Sequence, residues 1–365
     1  MAKKKVSRPR TVDQLRREID KLDREMITLV NRRAKYALDI GKIKDDTGQP
    51  VYAPDREEAV LLKAASTNKG PLPEKTIRAI FREIISGARG LEKHLRVSFL
   101  GPAFSYTHMA TISRFGQSAE LVPVSTIATV FEEVNRGHVD LGVVPLENST
   151  DGRIADTLEM FTRLPVRICG EVQMYIHHCL LARCDRSEIK EVYSKPQALS
   201  QCRNWLSKNL PGSRLIEVTS TSTAAQLAHD KPGAAAIASH QAGVNYSLET
   251  LVENIEDNTA NITRFAVIGK SPGKRTGRDK TSLMFEVAHQ PGSLADTMAI
   301  FKRNRLNLTW IESFPIPGTQ GAYLFFVELE GHESDAKVKK AVASLERKAT
   351  RLEILGSYAR STPCE

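Results

Sequence analysis

From residue 12 to residue 45 apolar side chains return every three or four positions: Val12, Leu15, Ile19, Leu22, Met26, Leu29, Val30, Ala37 and Ile40. That period predicts one long amphipathic helix. Two cations interrupt the stripe. At about 100° per residue, Arg33 and Lys44 fall in its middle and Arg16 on its edge. An unpaired buried cation is costly, so either acidic partners or an anionic small molecule must meet these side chains. Arg33 and Lys44 lie about 16 Å apart along the axis, close enough for two long side chains to meet on one small dianion. Arg16 lies roughly 25 Å from Arg33 and would have to come from a second, antiparallel chain. Three helices also make a thin core for so long a lead helix, so the pattern predicts an intertwined dimer with shared sites.

The helical grammar continues to residue 94. Gly48-Gln49-Pro50 breaks the first helix, and Pro54-Asp55-Arg56-Glu57 opens a second that ends near Asn68. Arg56 in that first turn opposes the helix dipole, a conflict an anion would remove, and Glu57 beside it can accept a hydroxyl hydrogen bond. After Lys69-Gly70-Pro71-Leu72-Pro73 a third helix carries Ile77, Ile80, Phe81, Ile84, Ile85, Ala88 and Leu91 on one stripe, which Glu92 continues. Either the Glu92 carboxyl is desolvated, which favours its protonated form, or it closes the helix in solvent or pairs with an arginine.

At Arg96 the pattern changes. Short buried runs alternate with turns and helices: Arg96–Leu100, Leu141–Pro145, Glu191–Ser194, Leu215–Val218 and Ala234–Ala238. This predicts an α/β unit over 96–270 with a mainly parallel sheet. Polar clusters follow the strands: Ser105–His108, Glu147–Thr150, Ser194–Gln197, Ser220–Thr223 and Asn261–Phe265. The carboxyl ends of such strands line ligand crevices, and hydroxyl-rich loops suit a carboxylate or hydroxyl substrate, although about half of these residues are expected to be helix caps. Residues 271–280 form a basic, glycine-containing linker. The order strand, helix, strand, strand, helix, strand over 281–357 is the ferredoxin-like split unit.

The chain of 365 residues is 41% hydrophobic and 26% charged, which suits two or three ordinary globular domains. Part of its net charge of +9 sits in residues 1–10, read as a disordered basic tail. No aromatic-interleaved basic patch follows, so nucleic acid is not an expected partner. No apolar run approaches the roughly 20 residues of a membrane span, and no apolar segment backs the N-terminal charges, so neither membrane nor secretion is expected. Five cysteines, an odd number with no C-x-x-C pair, argue for free thiols in the cytoplasm rather than a metal site or disulfides. Neither G-x-G-x-x-G nor G-x-x-x-x-G-K-[ST] occurs, and no cofactor is expected.

The run Leu15–Asp23, Arg32-Arg33, Gly41-Lys42-Ile43-Lys44 and Asp55-Arg56-Glu57 resembles the all-helical chorismate mutases. The resemblance implies that Arg33, Arg56 and the partner chain's Arg16 hold the two carboxylates of chorismate, that Lys44 and Glu92 bond the ether oxygen, and that Glu57 takes the ring hydroxyl. Ala53 and Ala88 stand where some relatives carry an acid and a serine. Gly101-Pro102, Val144–Ser149, His177–Leu181, Pro196–Cys202 and Thr263-Arg264-Phe265 together resemble prephenate dehydratase. That family implies two α/β lobes, like a periplasmic binding protein, with the site between them. Thr263 would assist departure of the ring hydroxyl, Phe265 would shield the ring, and Arg264 would bind a carboxylate or support its loop. Glu147, Asn148, Ser149, Ser194 and Gln201 would orient the substrate, and His178 is an acid candidate or a packing residue. Phe104 replaces a family glycine and Lys195 a histidine.

The C-terminal unit resembles an ACT domain, an amino-acid sensor. Gly292-Ser293-Leu294 would bind an effector carboxylate, with Glu312 and Ser313 beside it, while Phe314 replaces the arginine of the family motif. Together the resemblances imply a bifunctional enzyme taking chorismate to prephenate to phenylpyruvate under phenylalanine feedback, as a homodimer or higher homo-oligomer. The alternatives are a non-catalytic acid sensor and a mutase with an inactive dehydratase.

Overall fold

The computed structural model describes residues 10–46, 52, 54–316 and 322–364; residues 1–9 of the basic tail, the Gly48-Gln49-Pro50 break and Ala53 lie outside the described residues. The first unit is helical: α1 (Val12–Asp46), α2 (Pro54–Thr67) and α3 (Glu74–Glu92). Among the described residues, only the second half of α1 packs on its own chain. Every residue from Arg10 to Arg32 is exposed. Leu15, Ile19, Leu22 and Met26, the expected inner face, are 44%, 55%, 59% and 60% exposed. A helix this apolar on one side is not stable in water by propensity alone, so the arm needs a covering surface.

The middle unit has two α/β lobes. The first contains β1 (Arg96–Leu100), α4 (Tyr106–Phe115), β2 (Glu120–Val124), α5 (Ile127–Arg136), β3 (Leu141–Asn148), β4 (Gly152–Arg153), α6 (Ala155–Arg163) and β5 (Arg167–Tyr175). The second contains β6 (Cys179–Ala182), β7 (Glu191–Ser194), α7 (Pro196–Gln201), α8 (Arg203–Asn209), β8 (Arg214–Glu217), α9 (Thr221–Asp230), β9 (Ala234–Ala238), α10 (His240–Asn245) and β10 (Glu249–Val252). Then β11 (Ile262–Gly269) returns to the first lobe and completes the strand order β2-β1-β3-β11-β5. The second sheet runs β10-β6-β9-β7-β8. These sheets are mixed rather than mainly parallel. β11 is antiparallel to both β3 and β5, and β6 is antiparallel to β9 and β10. Thr263 therefore stands within a strand rather than in a loop after one.

The last unit comprises β12 (Asp279–Val287), α11 (Ser293–Arg303), β13 (Leu308–Pro315), β14 (Tyr323–Glu330), α12 (Ala336–Glu346) and β15 (Ala349–Ala359). Its antiparallel sheet, ordered β13-β14-β12-β15, is the split βαββαβ arrangement. Asp279 and Lys280, read above as linker, begin its first strand and are buried. One face carries Leu283, Phe285, Val327 and Leu329 against its own helices. The other carries Met284, Leu324, Phe326 and Tyr358 against Ala266 and Ile268 of β11 and Leu158 and Phe161 of α6. The two units thus share one continuous core. Among the described residues all five cysteines are free and no helix is long and apolar enough to cross a membrane.

Candidate active sites

In the helical unit, Arg33 and Arg56 line a cavity of about 530 Å³ with Val60, Lys63, Ile77 and Phe81. Burial, and then the charge of Arg56, push the Arg33 guanidinium below its ordinary pKa. Among the described residues no carboxylate forms an ion pair with either arginine. Like charges held together without a counter-ion form a receptor for an anion.

Glu92, Lys44 and Glu57 are not among the residues lining that cavity; they lie along the contacts that α3 makes with α1 and α2. Gly41 of α1 lies where a Cβ would stand 2.8 Å from Cγ of Glu92, so the absence of a side chain there admits the Glu92 carboxyl to the face that carries Lys44. Glu57 accepts a hydrogen bond from Arg89 Nη1 at 2.6 Å. Arg89, which the sequence reading passed over, is buried; its Nη2 donates to the Phe115 carbonyl of the first lobe at 2.6 Å, and it lies over the rings of Tyr52 and Phe115. The signal was available: Phe81, Ile85 and Arg89 fall on one helical stripe, as Arg33 does on α1. Arg16 is exposed; among the described residues it forms an ion pair with Asp13, at 3.9 Å, far from this constellation.

In the two-lobed unit one amide organises the site. Asn148 Oδ1 accepts from the backbone N–H groups of Thr150 and Asp151 at 2.9 and 3.1 Å. Its orientation is therefore fixed, and its Nδ2 donates to Thr263 Oγ1 at 2.8 Å and to Asn261 Oδ1 at 2.9 Å. Thr263 accepts here, which leaves its own hydroxyl proton to be donated elsewhere. The network continues through Asn261 Nδ2 to Gln201 Oε1 at 3.1 Å, crossing from the first lobe to the second. Gln201 and Gln197 both donate to Asp151, which ties α7 across the gap. Ser149 fixes the start of β11, accepting from the Ile262 N–H at 2.9 Å. Asn148, Ser149, Gln201 and Thr263 thus converge.

The other expected residues do not join them. Ser194 is fully buried and donates to the Ile237 carbonyl at 2.6 Å, so it serves the second lobe's core and not the gap. Phe265 is buried among Phe99, Phe115 and Val143, so it packs the first lobe instead of shielding a ligand. Arg264 and Glu147 pair at 2.7 Å, and Arg264 also meets Glu328 of the C-terminal sheet; neither faces the Thr263 side of the strand. Of the two roles open to Arg264, these contacts match support of the strand and not binding of a carboxylate ligand, and Glu147 is occupied by the same ion pair. Lys195 is exposed at the N-terminus of α7. Phe104 takes a left-handed φ of 64°, the conformation for which a glycine would be expected, at a cost on the order of 1 kcal/mol. The Phe104 ring packs edge-on against His108.

His178 is buried between Gln201 Oε1, 2.9 Å from Nε2, and the Tyr106 hydroxyl, 3.1 Å from Nδ1. Its pKa is pushed down by burial, against the smaller opposing influences of Gln201 and Glu256, so the neutral ring is favoured and an acid role is not. The unfolded chain then binds a proton that the folded chain refuses. Stability is fully present above about pH 6.5 and is lost as pH falls toward the folded value. Thermal midpoints from pH 7.5 to 5 should fall for the parent and fall less for His178→Gln; parallel curves would contradict the assignment.

In the C-terminal unit Gly292 caps α11 at a φ of 85°, with open space where a side chain would stand. Leu294 and Ile311 are exposed. Glu312 and Ser313, grouped with them above, are tied to Arg153 of the first lobe, whose Nη1 donates to Glu312 Oε2 at 2.9 Å and to the Ser313 carbonyl at 3.0 Å. Phe314 turns inward, edge-on to Phe326.

Comparison with known proteins agrees with this division. The family model for type II chorismate mutase matches residues 15–93, and that for prephenate dehydratase matches residues 97–273. A bifunctional chorismate mutase/prephenate dehydratase of Aquifex aeolicus is 43% identical over 353 residues, covering 95% of this chain and 98% of that protein. Its counterpart in Pseudomonas aeruginosa is 38% identical over 354 residues, covering 95% of this chain and 97% of that one. A crystal structure of prephenate dehydratase from Arthrobacter aurescens in complex with L-Phe is 31% identical, with a TM-score of 0.68 over 73% of this chain and 90% of its own. With both catalytic modules present in one chain and near full-length similarity to such enzymes, the protein belongs to the bifunctional chorismate mutase/prephenate dehydratases.

Proposed function

We propose that the two reactions run at two separate places: chorismate becomes prephenate in the cavity of the helical unit, and prephenate becomes phenylpyruvate between the two α/β lobes. The observation that carries the first assignment is the pair Arg33 and Arg56, facing one cavity with, among the described residues, no carboxylate paired to either. The rearrangement is pericyclic and needs no covalent intermediate. Catalysis is orientation of the dianion by guanidinium groups and stabilisation of charge growing on the ether oxygen, the task of Lys44 and Glu92. The exposed apolar arm of α1 supports an intertwined homodimer in which Arg16 of each chain reaches the other chain's cavity.

In the dehydratase step the bond from the ring to its carboxylate breaks and carbon dioxide leaves. The electron pair enters the ring and expels the hydroxyl, which takes a proton and departs as water. Thr263, accepting from Asn148 and free to donate, is the group for that hydroxyl. The C-terminal unit is read as an ACT-type sensor, with phenylalanine at the α11 N-terminus around Gly292, Ser293 and Leu294 of paired domains. The relative solved with L-Phe supports this effector. We read the protein as cytoplasmic, a reading supported by its likeness to biosynthetic enzymes.

Pure protein given chorismate should accumulate phenylpyruvate, and millimolar phenylalanine should slow the dehydratase half-reaction. A rate indifferent to phenylalanine would remove the effector from this account, and absence of phenylpyruvate would remove the two-site reading.

A further inference from the structure

Behind the Thr263–Asn148 pair, on the opposite face of the same two strands, lies a buried ionic cluster that neither reaction uses. Arg264 Nη1 donates to Glu147 at 2.7 Å, and Nη2 donates to Glu171 at 3.3 Å and to Glu328. Lys280 Nζ donates to Glu171 at 3.1 Å and lies 3.5 Å from Glu328 Oε2. The Tyr358 hydroxyl donates to Glu328 Oε1 at 2.8 Å. Glu328, Lys280 and Tyr358 belong to the C-terminal sheet, whereas Arg264, Glu147 and Glu171 belong to the first lobe. Glu328 is wholly buried inside the strand run Phe325-Phe326-Val327-Glu328-Leu329. A carboxylate in such a place is costly unless something requires it.

The register shows what it holds. Arg264 faces Glu147 across β11 and β3, and the adjoining pair is Thr263 with Asn148. The front pair and the back pair are neighbours on the same two strands, beside a register shift between Arg264 and Phe265. Fixing Arg264 from behind fixes the direction of the Thr263 hydroxyl in front. We infer that Glu328 is a positioning residue for the dehydratase reaction: the C-terminal sheet grips Arg264 and through it aligns Thr263 with Asn148. This rests on the assignment of Thr263 to the departing hydroxyl.

Charge decides which variant tests it. Three carboxylates, Glu147, Glu171 and Glu328, face two cations, Arg264 and Lys280, so the cluster carries one excess negative charge. Glu328→Gln leaves it balanced, keeps the volume, and keeps an oxygen for the Tyr358 hydroxyl, so the chain should fold. Dehydratase kcat on prephenate should fall about tenfold or more with KM within twofold, because alignment and not binding is lost. Mutase kcat should not change. In an Arg264→Gln background the same substitution should add no further loss, a result that a merely structural role would not give. Glu333→Gln, which breaks a different contact between the units, Glu333 with Arg167 at 2.6 Å, should leave dehydratase kcat unchanged. Unchanged kcat in Glu328→Gln, additive loss with Arg264→Gln, or failure of Glu328→Gln to fold would each overturn the inference. Thr263→Ala in the same assays separates the two possible failures. If that variant keeps dehydratase turnover, the underlying assignment is wrong; if it loses turnover while Glu328→Gln does not, only the positioning role is wrong.

Discussion

Thr263→Ala should lower dehydratase kcat by about a thousandfold and leave chorismate mutase turnover unchanged. The size follows from what the hydroxyl does. Asn148 is fixed by two backbone donors and gives its own N–H to Thr263, so among the described residues the threonine proton has no acceptor. Removing the hydroxyl deprives the leaving oxygen of that donor and also leaves an Asn148 N–H without its acceptor. Asn148→Asp should act in the same direction through the opposite defect: a carboxylate there would draw the Thr263 proton toward itself. Steady-state assay with prephenate alone reads both variants. Equal losses in the mutase and dehydratase reactions of Thr263→Ala would contradict separate sites.

The second large effect belongs to the cations of the helical unit. Arg33→Ala should reduce mutase kcat/KM by roughly a hundredfold or more, since a guanidinium bond to a carboxylate is lost from a half-buried site. Arg16→Ala should do the same, although Arg16 lies far from Arg33 within one chain. Mixing the two variants after dissociation should restore activity to about a quarter of the parent value. Half of the reassembled dimers are mixed, and each of those has one site with both arginines. A mixture as inactive as its components would show that Arg16 does not serve the other chain.

Several parts of this structure were legible in the sequence, and the reasons differ by region. The three helices and the split βαββαβ unit have periods of 3.6 and 2 in the hydrophobic pattern, and their element order follows directly. Arg33 was visible as a charge inside an apolar stripe. The same reasoning extends to Arg89 on α3 and Glu328 in β14, both buried charges within apolar runs. Each carries a contact that joins two units: Arg89 ties the helical unit to the first lobe, and Glu328 ties the C-terminal sheet to it. The two-lobed unit was harder to read. Its strand β11 starts in a polar segment, Asn261-Ile262-Thr263-Arg264, so it resembles a loop until its partners β3 and β5 are known.

Side-chain direction was the second loss. Thr263 and Arg264 are neighbours in sequence and face opposite sides of one strand, so a motif read as a unit divides into a hydroxyl held by Asn148 and a guanidinium for the next domain. Ser194, at the end of β7, and Phe265, within β11, were lost in the same way, since a motif does not say whether a side chain points outward or into the core. The exposed face of α1 is the converse case: the pattern demanded burial, and a single chain does not supply it.

The central claim is that one chain keeps two independent anion sites, one built on cations in helices and one on an amide and a hydroxyl between lobes. The most direct measurement is the pair of half-reactions on Arg33→Ala, with chorismate supplied for the first and prephenate for the second. Mutase turnover should be lost while prephenate is still converted to phenylpyruvate at the parent rate. Loss of both together, or survival of the first, would contradict the account.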